Sequence, residues 1–392
     1  MIAGAGPAGI ACAVALKRRA PLLRVLVVDR AHFPRNKPCG GGLTGRADAA
    51  MATLGLQLTV PHEAAPRARV VCGPVERVLD LERPVRVIRR DAFDASLVAQ
   101  ASALGIEIQQ GRALEALQRV AGGVALCVGG ERLQTRVLVG ADGAGSLVRK
   151  TIQGTRQRPI RLFRAELPAT GSVPRDTMLY DFSAMQEGLR GYVWVFPSPT
   201  GVNVGLMHDP SSPQSGAALT ALLGRHLRRY GIALPDHAAR GWPAWGYSAD
   251  AAVAAPNLVL VGDAAGIDAL TGEGIAVGLE GGVVAADAIV AGLRDNDLAF
   301  TGYRAALRRA TVGRELAVDA WMARLVYDDA FGGWKRWLPL VLFDDRMLEL
   351  YGRRVCGSVI LADHKPTLLG VLGRHLVLGG RRRRRLETAL AG

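Results

Sequence analysis

The chain has 392 residues, 49% of them hydrophobic, and a formal net charge of +14. That length can bury a sizeable core and hold two interleaved domains, and the apolar share excludes extended disorder. The 48 glycines follow no fixed period, which excludes a collagen-like chain, and no repeat of solenoid length occurs.

Residues 1–29 read as strand, glycine turn, helix and strand, with the helix over 8–20 and the second strand over 25–28. Only Met1, Ile2 and Ala3 precede the glycines, so either the first strand is short or the start lies downstream of the true one. No cleavable signal peptide is visible. A loop rich in Pro and Gly follows over 32–44, then strand-like alternation over 67–88 broken by Pro74 and Pro84. Phe93, Leu97, Val98 and Ala101 predict a helix over 91–104. Strands are expected at 106–109, 123–128 and 136–139, and an extended, aromatic stretch over 162–207. A helix is expected over 219–230, a strand over 258–261 and a long Ala/Gly-rich helix over 274–293. From about residue 300 the chain reads as mostly helical. No apolar run is long enough for a bilayer span, because Glu280 and Asp287 interrupt the best candidate, 275–293.

The five cysteines, Cys12, Cys39, Cys72, Cys127 and Cys356, form no CxxC pair and no zinc-spaced cluster. A reduced, cytoplasmic protein is the simplest reading. Five consecutive arginines, Arg381 to Arg385, follow the apolar stretch 368–378. They read either as a solvated tail or as a peripheral contact with anionic lipid headgroups beside an amphipathic helix. No aromatic residue interleaves with them, which argues against nucleic acid.

Three separated motifs converge on one dinucleotide. In GAGPAG, Gly4 permits a tight turn, Gly6 lets backbone approach a pyrophosphate, and Gly9 lets the helix pack on the sheet. The helix opens at Pro7, which has no N–H, and the unpaired N–H groups from Ala8 onward face the phosphate charge. Asp29 ends the next strand 20 residues after Gly9, where a carboxylate accepts from ribose hydroxyls. In GADGAGSLVR, Asp142 follows a strand and either meets the cofactor or caps the helix starting near Ser146. In GDAAGIDALTGEGI, Gly262 and Asp263 follow a strand, and Gly272, Gly274 and Ile275 open the long helix. The N–H groups of that helix start suit negative charge on a reduced flavin ring. A single GxGxxG does not fit a disulfide-reductase architecture with separate flavin and nicotinamide domains.

Together with FPRNKPCGGGL at 33–43 and RRDAFDASL at 89–97, these motifs resemble the geranylgeranyl reductase family of flavoproteins, within the hydroxybenzoate-hydroxylase-like fold. Tyr192-Val-Trp194-Val-Phe196-Pro197 matches that family's YxWxFP marker, although Gly205-Leu206-Met207 stands where a GxG is usual. The resemblance covers about residues 1–300. It implies an α/β (α+β) protein, with a Rossmann-like FAD-binding domain interleaved with a mixed β-sheet substrate domain and a helical C-terminal segment. The FAD-binding parts are expected at 1–66, 89–158 and 251–299. The substrate parts are expected at 67–88 and 159–250, and the helical region with its arginine tail at 300–392.

The expected cofactor set is Gly4, Gly6, Pro7, Ala8, Gly9, Asp29, Arg30, Arg35, Cys39, Gly40, Arg90, Asp142, Gly262, Asp263, Gly272, Gly274 and Ile275, with no metal. Cys39, in the PCxxG loop near the flavin ring, is the expected catalytic residue, and Lys37 is the nearby positive charge expected to act on its thiol. In a strand Tyr192, Trp194 and Phe196 share one face, either as packed core or as the wall of an apolar substrate cavity.

The implied activity is FAD-dependent reduction of carbon–carbon double bonds in a prenyl or polyene substrate, a small molecule or a lipid. The same fold also supports a monooxygenase acting on a natural product. A halogenase is disfavoured, because the segment is not WxWxIP and no lysine lies between Lys37 and Lys150. The electron donor, NAD(P)H or a reduced ferredoxin, and the oligomeric state stay open.

Overall fold

The computed structural model describes residues 1–154, 158–168 and 173–391; residues 169–172 of the expected extended stretch lie outside them. Two sheets organise the chain. The first has six strands in the spatial order Ala254–Ala255, Leu258–Leu260, Leu138–Gly140, Ile2–Ala3, Leu26–Asp29 and Glu107–Gln110. All its pairs are parallel except the edge pair formed by Ala254–Ala255. Parallel strands of this kind are covered on both faces, and the alternation shows it. Ile2, Val27, Val139 and Val259 point into the core made with the helices Pro7–Arg19 and Ile275–Arg294. Ala3, Val28, Leu138 and Leu260 point the other way, onto Val124, Leu126 and Val128 of a three-stranded meander.

The two helices pack almost backbone to backbone. A β-carbon at Gly282 would stand 2.6 Å from the Ala8 carbonyl oxygen and 2.8 Å from the Cys12 amide nitrogen. Ile275–Arg294 is also the one described helix long and apolar enough to cross a membrane. Here its small residues serve this contact.

The glycine turn that feeds Pro7–Arg19 is equally crowded. Gly4 has φ +109°, and a β-carbon there would lie 2.2 Å from the Ala141 carbonyl oxygen. Gly4→Ala is therefore expected to cost at least about 2 kcal/mol. The check is a lower urea midpoint at unchanged slope.

The second sheet has eight strands in the order Arg240–Ala244, Ile160–Leu167, Gly201–His208, Gly191–Ser198, Thr177–Asp181, His62–Cys72, Val75–Ile88 and Gly42–Leu43. It is antiparallel except where Thr177–Asp181 runs parallel to His62–Cys72. Val193, Val195, Val204 and Leu206 face the helix Gly216–Arg228 through Leu219, Leu222 and Leu223. Tyr192, Trp194, Phe196 and Met207 occupy the opposite face, toward Trp334, Leu338 and Met347 of the C-terminal helices. The fold class is the expected one: mixed α/β with a helical C-terminal segment.

The first strand is short, Ile2–Ala3, and the long helices fall within a few residues of their expected places. Elements not anticipated include the helix Gly45–Thr53, the meander strands Leu114–Val120 and Glu131–Thr135, and the strands Gly42–Leu43, Arg240–Ala244 and Ala254–Ala255.

Candidate functional site

One cavity of about 580 Å³ runs between the two sheets and reaches the C-terminal helices. That lies in the range of pockets that hold cofactors and substrates. Its polar end is lined by Gly4, Gly6, Pro7, Ala8, Asp29, Arg30, Arg35, Arg90, Asp142, Gly262 and Asp263. Gly272, Gly274 and Ile275 line it as well, and Cys39 and Gly40 stand on its wall. Gly9 is the one expected cofactor residue that does not line the cavity. A β-carbon on it would stand 1.9 Å from the Gly4 carbonyl oxygen, so its part is to let helix meet turn.

Two helix N-termini open into this cavity. Neither Pro7–Arg19 nor Ile275–Arg294 has a side-chain cap or an acidic residue in its first turn. Backbone N–H groups left without partners, together with the helix dipoles, make both ends receptors for negative charge. Asp29, nearly buried at the end of Leu26–Asp29, accepts from the Ala5 and Ala31 amides at 2.8 Å each. Its two oxygens keep lone pairs for ribose hydroxyls.

Asp142 does what the capping reading expects. Its Oδ2 accepts from the Leu147 amide at 2.8 Å, while Ser146 is the N-cap proper, accepting from the Arg149 amide at 2.9 Å.

The cationic residues are held by a carboxylate that sequence reasoning did not assign. Asp94, fully buried, accepts from Arg90 Nε at 2.8 Å and Nη2 at 2.7 Å, and lies 3.2 Å from Arg35 Nη2. Arg35 leans over the glycine turn, 3.3 Å from where a β-carbon of Gly6 would be. Burial works against the charge of Arg90, but Asp94 more than offsets it and holds the guanidinium ionised.

Lys37 does not attend Cys39 as expected. Its ammonium lies 3.2 Å from Asp263 Oδ2 and 4.4 Å from the centre of the Trp242 ring. Burial would raise the Asp263 carboxyl, yet Lys37 keeps it below the usual carboxylate range. The Cys39 sulfur accepts from the Gly41 amide at 3.4 Å, and the positive group that acts on it electrostatically is Arg90.

Beyond Cys39 the cavity becomes mostly apolar. Tyr192, Trp194 and Phe196 line it and are buried, with Tyr180 completing the aromatic wall 5.1 Å from Phe196 and 5.6 Å from Tyr192. A β-carbon on Gly40 would stand 3.0 Å from the Phe196 ring, so the cysteine loop lies directly against this wall. Asn203 joins the two. Its Nδ2 donates to the Cys39 carbonyl at 2.8 Å, and its Oδ1 accepts from Trp194 Nε1 at 2.9 Å. Gly205 faces Trp194 across the strand pair, where a β-carbon would stand 2.3 Å from the indole. The far wall comes from the C-terminal helices: Met322, Val326, Leu338, Val341, Tyr351 and Arg354.

The residues present fit a flavin dinucleotide: a glycine turn that admits no β-carbon, two uncapped helix starts, a ribose-facing carboxylate and paired guanidiniums. Comparison with known proteins agrees, since the FAD binding domain family matches residues 1–296.

The chain belongs to the FAD binding domain family. It is 30% identical over 323 residues to menaquinone reductase of Mycolicibacterium smegmatis, covering 74% of this chain and 76% of that protein. Identity to geranylgeranyl diphosphate reductase of Rhodobacter capsulatus is 29% over 316 residues, covering 75% of each. The geranylgeranyl bacteriochlorophyll reductase-like structure from Thermoplasma acidophilum has a TM-score of 0.74 at 19% identity, over 98% of both chains. These relatives fit the geranylgeranyl reductase family that the motifs resemble. The chain is an FAD-dependent oxidoreductase, in a group whose relatives include reductases, monooxygenases and halogenases.

Proposed function

We propose that this flavoenzyme reduces a carbon–carbon double bond in a prenyl chain or polyene. The observation that carries the reading is the position of Cys39, where the cofactor end of the cavity meets its aromatic end. FAD, when bound, would supply hydride to one alkene carbon, drawing on NAD(P)H or a reduced ferredoxin.

The chain's own residues do the rest. Tyr192, Trp194, Phe196 and Tyr180 exclude water and hold the apolar chain. Cys39 donates its proton to the second alkene carbon, so that hydride and proton together saturate the bond. Arg90 offsets the charge left on sulfur, and solvent returns the proton. Asn203 is a positioning residue: it fixes the cysteine loop relative to the Trp194 indole. The neutral, aromatic wall and the relatives named for menaquinone and geranylgeranyl diphosphate support a prenyl substrate.

The test is anaerobic. Photoreduced holoenzyme is mixed with a polyprenyl quinone or a geranylgeranyl lipid, and flavin absorbance is followed. Reoxidation by the lipid with loss of a double bond is the expected result. No reoxidation by the lipid, and reoxidation only once oxygen is admitted, with oxygen entering the product, would replace this reading with the monooxygenase.

A further inference from the structure

We propose that the C-terminal helix docks the enzyme on an anionic lipid bilayer. The inference goes beyond the redox reading and does not require it. The helix Lys365–Ala391 turns Leu368, Val371, His375 and Leu386 inward, all buried. His375 anchors it to the helix Gly333–Phe343, with Nε2 2.8 Å from the Arg336 carbonyl oxygen and the imidazole 5.5 Å from the Trp337 ring.

The outward face is apolar where solvent would favour charge. Leu369, Leu376 and Val377 are 68%, 61% and 83% exposed. Their i, i+7, i+8 spacing places them on one side of the helix. Scattered exposed leucines need no explanation, but a row on one helix face does.

The charge that follows selects the partner. Arg381, Arg383, Arg384 and Arg385 are exposed, and no acidic residue occurs from Lys365 to Leu386. Arg382 is already committed, with Nη2 2.8 Å from Asp344 Oδ2. Arg383 also pairs with Glu387 at 2.9 Å and Arg385 lies 4.8 Å from the Phe343 ring centre, yet all four guanidiniums stay exposed. An apolar stripe that passes within the same helix into this exposed arginine cluster matches the acyl boundary and phosphate layer of an anionic leaflet. The neighbouring helix Gly333–Phe343 lines the cavity through Leu338 and Val341, so the docked surface lies one helix away from the cavity roof. A bilayer on the cytoplasmic side carries the negative lipids this face would meet.

The experiment is co-sedimentation of the holoenzyme with vesicles of phosphatidylcholine alone or mixed with phosphatidylglycerol. Binding is expected only with phosphatidylglycerol and should fall steeply as salt rises. The double variant R383E/R384E should weaken it at least about ten-fold, and V377D should weaken it at low salt as well, with FAD content and melting temperature unchanged. No sedimentation with either vesicle, or equal binding to both, would overturn the proposal. So would a wild-type dimer that V377D dissociates, since a second copy would then cover this face. Vesicle binding is read without turnover, so its failure and that of the reductase reading are separable.

Discussion

Replacing Cys39 with alanine is expected to leave a yellow, folded protein whose proposed alkene reduction is slowed by about 10²–10⁴-fold, the usual worth of a positioned general acid. The thiol makes little of the fold. It is half-buried in a loop, and the loop's link to the substrate wall runs through the Cys39 carbonyl, which accepts from Asn203. Alanine keeps that carbonyl. FAD stoichiometry should therefore stay near wild type while single-turnover reoxidation of the reduced flavin by lipid slows. Unchanged turnover would remove the thiol from the reaction and leave proton delivery to water.

Asp94→Ala should have the largest effect on stability and cofactor retention together. It leaves the guanidiniums of Arg90 and Arg35 without their shared carboxylate in a buried setting, and breaking a buried pair from one side costs about 3–5 kcal/mol. The expected outcome is a protein that melts at lower temperature and is purified largely without FAD. Asp94→Asn restores one neutral acceptor, its Oδ1, but not the second acceptor or the charge, and should recover part of the stability and little of the cofactor affinity. If Asp94→Ala bound FAD and melted like wild type, the guanidinium pair would have no part in holding the dinucleotide.

The cofactor half of this molecule was legible because its demands are local. A turn that must bring backbone to phosphate needs glycine at fixed positions, and a carboxylate must end the following strand, so Gly4, Gly6 and Asp29 announce themselves by spacing. Asp94 lay within a motif that was recognised, yet its function depends on Arg35, whose position relative to it is set only by tertiary structure. Asn203 is hidden for the same reason: its partners Cys39 and Trp194 lie on a loop and on a neighbouring strand. Lys37 misled, because closeness in sequence to Cys39 said nothing about Asp263, which captures it through space.

The missed meander strands, Leu114–Val120 and Glu131–Thr135, are largely exposed; the second is polar at all but Leu133 and the first mixes Glu, Gln and Arg with apolar residues out of strict alternation, so their pattern is faint. Gly45–Thr53 was missed because it starts on glycine and its N-cap, Thr44, makes no side-chain cap bond. The aromatic triplet was legible as one strand face. Whether that face was core or cavity was not, because the answer depends on helices that carry no motif.

Those helices divide the molecule's responsibilities at a particular place in the chain. The family match ends at residue 296, while Met322, Val326, Leu338, Val341 and Tyr351, which close the apolar chamber, all come later. The cofactor end and the aromatic wall are thus encoded in one stretch of polypeptide, and the far wall that closes the chamber in the next. Exchanging the later stretch among relatives would retarget the same redox engine to molecules of another length or girth, with its electron chemistry left intact.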